Sequence, residues 1–203
     1  PKDATFHNNL GMLHKILGKY EEAISKFSKA ILLNPDYAEA HENLGYLYQE
    51  LGRFEDAELS YRDAIALKPS NSAIHNNLGL VLRFLGKFEE ALTCFQEAIS
   101  LKPDNDGAHI NLGQEFFRVA NYKKASKHFG ISKIQKAKSY NLRCLYYIEE
   151  SLFFDLLDKL ILEKERNAIV GHIGCLSKVK FNSDRKNLFC ENPLQYIYTN
   201  DLK

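Results

Sequence analysis

The feature that most limits how this chain can fold is a self-similarity with a period of 34 residues. The segments His7-Asn8-Asn9-Leu10-Gly11, His41-Glu42-Asn43-Leu44-Gly45, His75-Asn76-Asn77-Leu78-Gly79 and His109-Ile110-Asn111-Leu112-Gly113 recur in that register. Gly18, Gly52 and Gly86 keep the same spacing, as do Ala23, Ala57, Ala91 and Ala125, then Phe27, Tyr61, Phe95 and Phe129, and then Pro35, Pro69 and Pro103. A period of this size marks an array of small units, none of which can bury its apolar side alone. With Ala4 as position 1, positions 4, 7, 8 and 11 form one stripe of an α-helix, and positions 20, 24, 27 and 28 form a second. Glycine near position 15 interrupts the first helix, and proline, which cannot continue the hydrogen-bond ladder, ends the second. Small residues at 8, 20 and 27 let two helices approach closely, and the aromatic at 24 fills the space between them. Each unit is therefore predicted to be a helical hairpin in an all-α array.

These landmarks strongly resemble the tetratricopeptide repeat family over residues 4 to about 137. The resemblance implies a right-handed α-solenoid of helix-turn-helix hairpins, with units at 4–37, 38–71, 72–105 and 106–137. The fourth unit is weaker, because Ala120, Ser132, Lys133 and Ala137 replace the glycine, alanine, isoleucine and proline of the other three. Beyond it, 138–165 reads as a degenerate fifth hairpin and 167–181 as one more helix that caps the apolar end. Residues 182–203, with a turn at Asn192-Pro193, read as linker or tail.

Composition excludes several classes of function. Twenty-seven Lys and Arg face 26 Asp and Glu, for a net charge of +1 in 203 residues. Binding nucleic acid by neutralising many phosphates calls for a basic excess that is missing here. No apolar run approaches the ~20 residues that span a bilayer. Cys94, Cys144, Cys175 and Cys190 are too far apart for a C-x2-C zinc site or a disulfide framework, so they read as reduced and structural, and the location expected is cytoplasmic.

Four periodic histidines invite a metal hypothesis, which geometry refuses. Equivalent positions in neighbouring units lie about a helix diameter apart, ~10 Å, whereas zinc holds nitrogens at ~2.0–2.1 Å. His7, His41, His75 and His109 also sit on the buried stripe, so they read as packing residues, as does His14. His128 and His172 stand alone on predicted helices.

The asparagines behave differently. At about 100° per residue, positions 2, 6, 9 and 13 fall opposite the buried stripe. That second face carries Thr5, Asn9, Met12 and Ile16 in the first unit and Glu39, Asn43, Tyr46 and Glu50 in the second. The third contributes Ala73, Asn77, Leu80 and Phe84, and the fourth Gly107, Asn111, Gln114 and Arg118. Packing inside a hairpin does not explain Asn recurring there, and a merely solvated face has no need of Met12, Ile16, Tyr46, Leu80 or Phe84. In the family this chain resembles, that face lines a concave groove in which position-6 asparagines hold the backbone of an extended peptide. A carboxamide suits the task, since it offers both a donor and an acceptor. The site expected is thus Asn9, Asn43, Asn77 and Asn111 on the peptide backbone, with Tyr46, Leu80 and Phe84 as apolar contacts and Arg83 and Arg118 adding charge selectivity. The partner expected is a protein or peptide segment; nucleic acid, membrane, metal and cofactor are not. The alternative is that these asparagines only bond a neighbouring helix.

Two family subtypes help to place the chain. The chaperone-docking subgroup clamps a terminal carboxylate with cations where this chain has Thr5, Ala73 and Asn77, so that clamp is not expected. The uninterrupted run Asn9, Asn43, Asn77, Asn111 is closer to the repeats of O-linked N-acetylglucosamine transferase. No G-x-x-x-x-G-K-[ST], G-x-G-x-x-G or G-x-S-x-G occurs, and no histidine is followed two residues later by Asp or Glu. The chain itself is therefore not expected to be an enzyme. The stretch Asn187–Ile197 is similar to the connector after such repeats in some 2-oxoglutarate/iron oxygenases. That likeness implies an alternative in which this region recruits substrate for an oxygenase or a glycosyltransferase.

Overall fold

The computed structural model describes residues 3–148. Among them lie nine α-helices and no strand: α1 (Ala4–Ile16), α2 (Tyr20–Leu33), α3 (Ala38–Glu50), α4 (Phe54–Leu67), α5 (Ser72–Phe84), α6 (Phe88–Leu101), α7 (Asp106–Arg118), α8 (Tyr122–Ile131) and α9 (Gln135–Ile148). The fifth hairpin beyond Ile148, the capping helix, the tail, His172, Cys175, Cys190 and the Asn187–Ile197 connector lie outside the described residues. None of the described helices is long and apolar enough to cross a membrane. The chain divides into two compact units, residues 1–108 and 109–203.

Within the first unit, α1 pairs with α2, α3 with α4 and α5 with α6, and each hairpin then packs on the next through α2–α3 and α4–α5. Closure of each hairpin rests on one contact. A Cβ added at Gly11, Gly45 or Gly79 would lie 2.7, 2.9 or 2.6 Å from the ring of Phe27, Tyr61 or Phe95. These rings are fully buried, and they lie directly against the glycine backbone of the facing helix. Ala23, Ala30, Ala57, Ala64, Ala91 and Ala98 are also fully buried and keep the interhelical gap narrow. Between the first two hairpins, Ala23 and Phe27 share a core with Leu44 and Leu47, edged by Ile24, Ile31, Tyr48 and Leu51.

The turns inside the hairpins follow from backbone geometry. Gly18, Gly52 and Gly86 have φ of +71°, +72° and +76°. The next residue closes each helix end, with Lys19 N donating to His14 O at 2.9 Å, Arg53 N to Tyr48 O at 2.9 Å and Lys87 N to Leu82 O at 2.8 Å. Between hairpins, Asn71 and Asn105 cap α5 and α7 through their side-chain oxygens. On the far side of the second helices, buried Glu58 of α4 accepts from Lys87 at 2.7 Å and Arg62 at 2.9 Å, and Arg62 reaches Glu90 at 2.6 Å. Burial pushes the Glu58 carboxyl up, but the hydrogen bonds and charges of Lys87 and Arg62 outweigh it and hold it below its usual range.

In the second unit, Phe129 fills the same role against Gly113, whose added Cβ would lie 2.6 Å from the ring. Ile110, Ala125, Phe129, Ala137 and Cys144 form the core. Here the repeat register breaks. The second helices of the first three hairpins have 14 residues, whereas α8 has 10 and gives way to an extended Ser132. The Ser132 hydroxyl accepts from Ile134 N at 3.2 Å, and α9 opens at Gln135 rather than at the boundary near 138 drawn from the sequence. Ala137, standing where a unit-closing proline recurs, is accordingly inside a helix. Ala120 occupies the turn-glycine position and keeps its conformation, with φ +57°. Cys94 and Cys144 are free thiols, and burial pushes them up to about 11 and about 12, so neither is a ready nucleophile at neutral pH.

Two substitutions test this account by urea denaturation. Gly79→Ala forces a methyl into the Phe95 ring and is expected to cost about 1–3 kcal/mol. Ala120→Gly relieves a left-handed alanine and is expected to stabilise by about 1 kcal/mol.

Candidate functional site

The first helices of the three hairpins in the first unit lie in succession, α1 touching α3 and α3 touching α5. Their sides away from the buried stripe face solvent. Asn9, Met12, Ile16, Tyr46 and Phe84 are exposed, while Asn43, Asn77 and Leu80 are half-buried. Ile16 at 77% and Phe84 at 62% are far more open than aliphatic and aromatic residues of a packed helix. One face of the Phe84 ring is covered by Phe54 at 4.7 Å, and the Arg83 guanidinium lies 5.9 Å from the ring centroid.

The polar residues of this surface do not stand idle. Asn8, a fully buried carboxamide at position 5, crosses to the next hairpin. Its Nδ2 donates to Glu39 Oε1 at 3.2 Å and to Tyr37 Oη at 3.4 Å, while its Oδ1 accepts from Asn43 Nδ2 at 3.0 Å. Lys15, at position 12, also crosses, lying 3.1 Å from Glu50 Oε2 and 3.8 Å from the Tyr46 ring centroid. The negative charge of Glu50, then burial and a hydrogen bond to Glu50, hold the Tyr46 phenol above its usual range. Two side chains of α1 thus engage all four second-face residues of α3. The next step differs in chemistry: Tyr61 Oη donates to Gln49 Oε1 at 3.0 Å and also bonds Asn77, and Asn71 Nδ2 donates to Glu42 at 3.3 Å.

Asn8 and Lys15 are the residues that sequence reasoning passed over. Positions 5 and 12 point sideways, between the buried stripe and the open face, and a helical wheel drawn for one hairpin assigns them no partner. Asn43 is partly explained by packing between hairpins, since one amide hydrogen is committed to Asn8. Its Oδ1 lies outside that bond. Asn9 makes no side-chain hydrogen bond among the described residues.

Asn111 and Arg118 belong to α7 in the second unit. Asn111 is half-buried, and exposed Arg118 donates to buried Glu115 at 2.9 Å.

The histidines pack and brace. Nε2 of His41 and of His75 meets the carbonyl of Pro35 at 3.1 Å and of Pro69 at 2.8 Å. A carbonyl only accepts, so Nε2 is protonated and each ring ties the inter-hairpin loop to the helix that follows. His128 is not isolated: its Nδ1 lies 3.0 Å from Nδ1 of buried His109, and its ring stacks on Phe116. Among the described residues, no three His, Cys, Asp or Glu side chains converge on one point.

The periodic geometry has counterparts among known proteins. Family models described as TPR repeat and tetratricopeptide repeat match residues 13–52, and 38–71 and 72–105. Residues 13–105 thus match models of the tetratricopeptide repeat. No curated protein matches the sequence. Among solved structures, the chain resembles MamA, at 25% identity with a TM-score of 0.62, covering 64% of this chain and 77% of that one. The first TPR of Spaghetti (RPAP3), solved bound to the HSP90 peptide SRMEEVD, is 27% identical with a TM-score of 0.56, covering 58% and 94%. YrrB, described as a TPR protein with an unusual peptide-binding site, shares the fold at 22% identity and a TM-score of 0.66, covering 79% and 86%.

Two measurements follow from these contacts. Asn8→Leu leaves Glu39, Asn43 and Tyr37 without their shared partner and is expected to cost about 1–3 kcal/mol in urea unfolding. Burial first, then the charges of His109 and Lys127, hold the His128 imidazole down at about 4. The unfolded chain takes up that proton near pH ~6.5. Stability is therefore expected to fall as pH drops from about 6.5 to 4, because the unfolded state binds more protons in that window. Thermal melts of wild type and His128→Gln over this range check it, with a shallower loss expected in the variant.

Proposed function

We propose that this protein is an interaction scaffold that holds an extended segment of a partner protein along the open face of its first helices. The observation carrying the reading is the joint exposure of Met12, Ile16, Tyr46 and Phe84 on α1, α3 and α5, interleaved with Asn9, Asn43 and Asn77. A solvated face has no use for large apolar side chains, and an apolar patch alone has no use for regularly spaced carboxamides. Together they offer what an extended peptide presents: backbone N–H and C=O groups at a steady spacing, with side chains projecting between them.

The bonds from Asn8 and Lys15 add preorganisation. Asn43, Glu39, Tyr46 and Glu50 are already held from the neighbouring helix, so less side-chain freedom is lost when a ligand docks. Asn111 and Arg118, in the second unit, are proposed to contact a partner through that unit's own part of α7. The family comparison supports the reading, since the first TPR of Spaghetti (RPAP3) was solved with a bound peptide. The chemistry selected here differs from that of an acidic terminal peptide. Glu39 and Glu50 flank Asn43, Lys15 is engaged with Glu50, and Thr5, Ala73 and Asn77 stand where a carboxylate clamp has cations. The segment proposed is apolar and neutral to basic, bound mainly through its backbone.

A peptide array probed with wild type and with an Asn9→Ala, Asn43→Ala, Asn77→Ala triple variant tests the proposal. Loss of about 1 kcal/mol per hydrogen bond predicts at least a tenfold weaker capture by the variant. Circular dichroism confirms that the variant is folded. Undiminished capture by a folded triple variant removes the carboxamides from the mechanism.

A further inference from the structure

The open face of the first unit repeats once per helix, and the length of that repeat constrains what lies across it. Each first helix carries one carboxamide at position 6 and one apolar side chain at position 9: Asn9 and Met12 on α1, Asn43 and Tyr46 on α3, Asn77 and Leu80 on α5. Met12 and Tyr46 are 38% and 42% exposed, and Leu80 is half-buried. Direct bonds make α1 and α3 immediate neighbours, with Asn43 Nδ2 reaching Asn8 Oδ1 at 3.0 Å and Lys15 Nζ reaching Glu50 Oε2 at 3.1 Å. One carboxamide and one apolar contact therefore recur at about a helix diameter, ~10 Å.

Three backbone forms can be weighed against that step. A β-strand rises about 3.3 Å per residue, so side chains on one face recur every ~6.7 Å or, with one skipped, every ~13 Å, and neither matches. An α-helix spends its backbone donors and acceptors internally and leaves the carboxamides nothing to bind. Polyproline II rises ~3.1 Å per residue with about three residues per turn, so every third side chain falls on one line at ~9.3 Å. Its N–H and C=O groups make no internal bonds. That form alone meets both the spacing and the chemistry of the face.

The interior carboxamides also have a direction. Asn43 commits an Nδ2 hydrogen to Asn8. The bond between Asn77 and the Tyr61 hydroxyl favours the ionised phenol, which makes Asn77 the donor through its own Nδ2. Both nitrogens are thus turned to the hairpin ahead, and the two Oδ1 atoms are what the face offers; Asn76 Nδ2 approaches that of Asn77 only at 3.5 Å. An oxygen of this kind only accepts, so the ligand must bring an N–H there, which proline lacks. We propose, resting on the recognition reading above, that the bound segment is a polyproline II stretch with an apolar side chain at every third residue. Those side chains seat on Met12, Tyr46 and Leu80, and the residues crossing Asn43 and Asn77 carry a backbone N–H and are not proline. Proline is favoured at the remaining positions, because it fixes the polyproline II backbone before binding and lowers the entropy lost on docking. The three contacts span ~19 Å, about seven residues of ligand.

Synthetic peptides made from the same four Leu, four Pro and four Lys test the register by fluorescence anisotropy. The first repeats Leu-Pro-Lys, the second places its leucines at alternate positions, and the third is the first with every Leu and Lys nitrogen methylated. The first is expected to bind at least about tenfold more tightly than either of the others. The Asn9→Ala, Asn43→Ala, Asn77→Ala variant is expected to lose the preference for the first over the third. Equal or tighter binding of the second peptide overturns the period of three; if the triple variant still weakens both, the scaffold reading stands without it. Equal binding of the methylated peptide by wild type overturns the N–H requirement. Binding of all three that is indifferent to the triple variant overturns the inference and the scaffold reading together. Failure of all three to bind overturns the inference alone where the peptide array still captures segments of other spacing, and both where it does not.

Discussion

The contact on which the rest depends is an aromatic ring lying flat against a glycine of the facing helix. Phe27, Tyr61, Phe95 and Phe129 each occupy the space a Cβ would take at Gly11, Gly45, Gly79 and Gly113. Burying one such ring contributes about 1.5–3 kcal/mol, and its flat approach sets how closely the two helices of a hairpin pack. That separation then aligns successive first helices, so that Asn8 reaches Asn43 and Lys15 reaches Glu50. The open face is a consequence of hairpin closure two contacts away.

The same dependence explains where the array changes character. The fourth hairpin keeps the ring and the glycine, but Ser132 replaces the alanine at position 27, Lys133 the isoleucine at position 28 and Ala137 the closing proline. α8 stops after 10 residues, and α9 enters early. Tyr61, the one tyrosine in the ring series, keeps the packing and adds a hydroxyl that ties Gln49 to Asn77. Burial, followed by the nearby charge of Glu42, raises that hydroxyl well above its usual range, so it remains a donor across the physiological span of pH. A single oxygen therefore turns a packing residue into a support for the candidate site.

Much of this was legible in the amino-acid order. Period, helix stripes, turn glycines and the open second face are properties of one hairpin, and local spacing encodes them. The exposure of Ile16, Tyr46 and Phe84 follows from the same wheel. What spacing does not encode is which side chain of one unit meets which of the next. Asn8 and Asn9 are adjacent and chemically identical, yet one is fully buried and the other exposed. His109 and His128 sit 19 positions apart in sequence with Nδ1 atoms 3.0 Å apart in space.

By itself, then, the sequence determined the repeating hairpin, its closing ring and the face left to solvent, because those depend on periodicity within 34 residues. The tertiary structure alone decided the partners of Asn8, Lys15 and Tyr61 and the early entry of α9. These depend on how one unit seats against another, and such distances arise only once the backbones are in place.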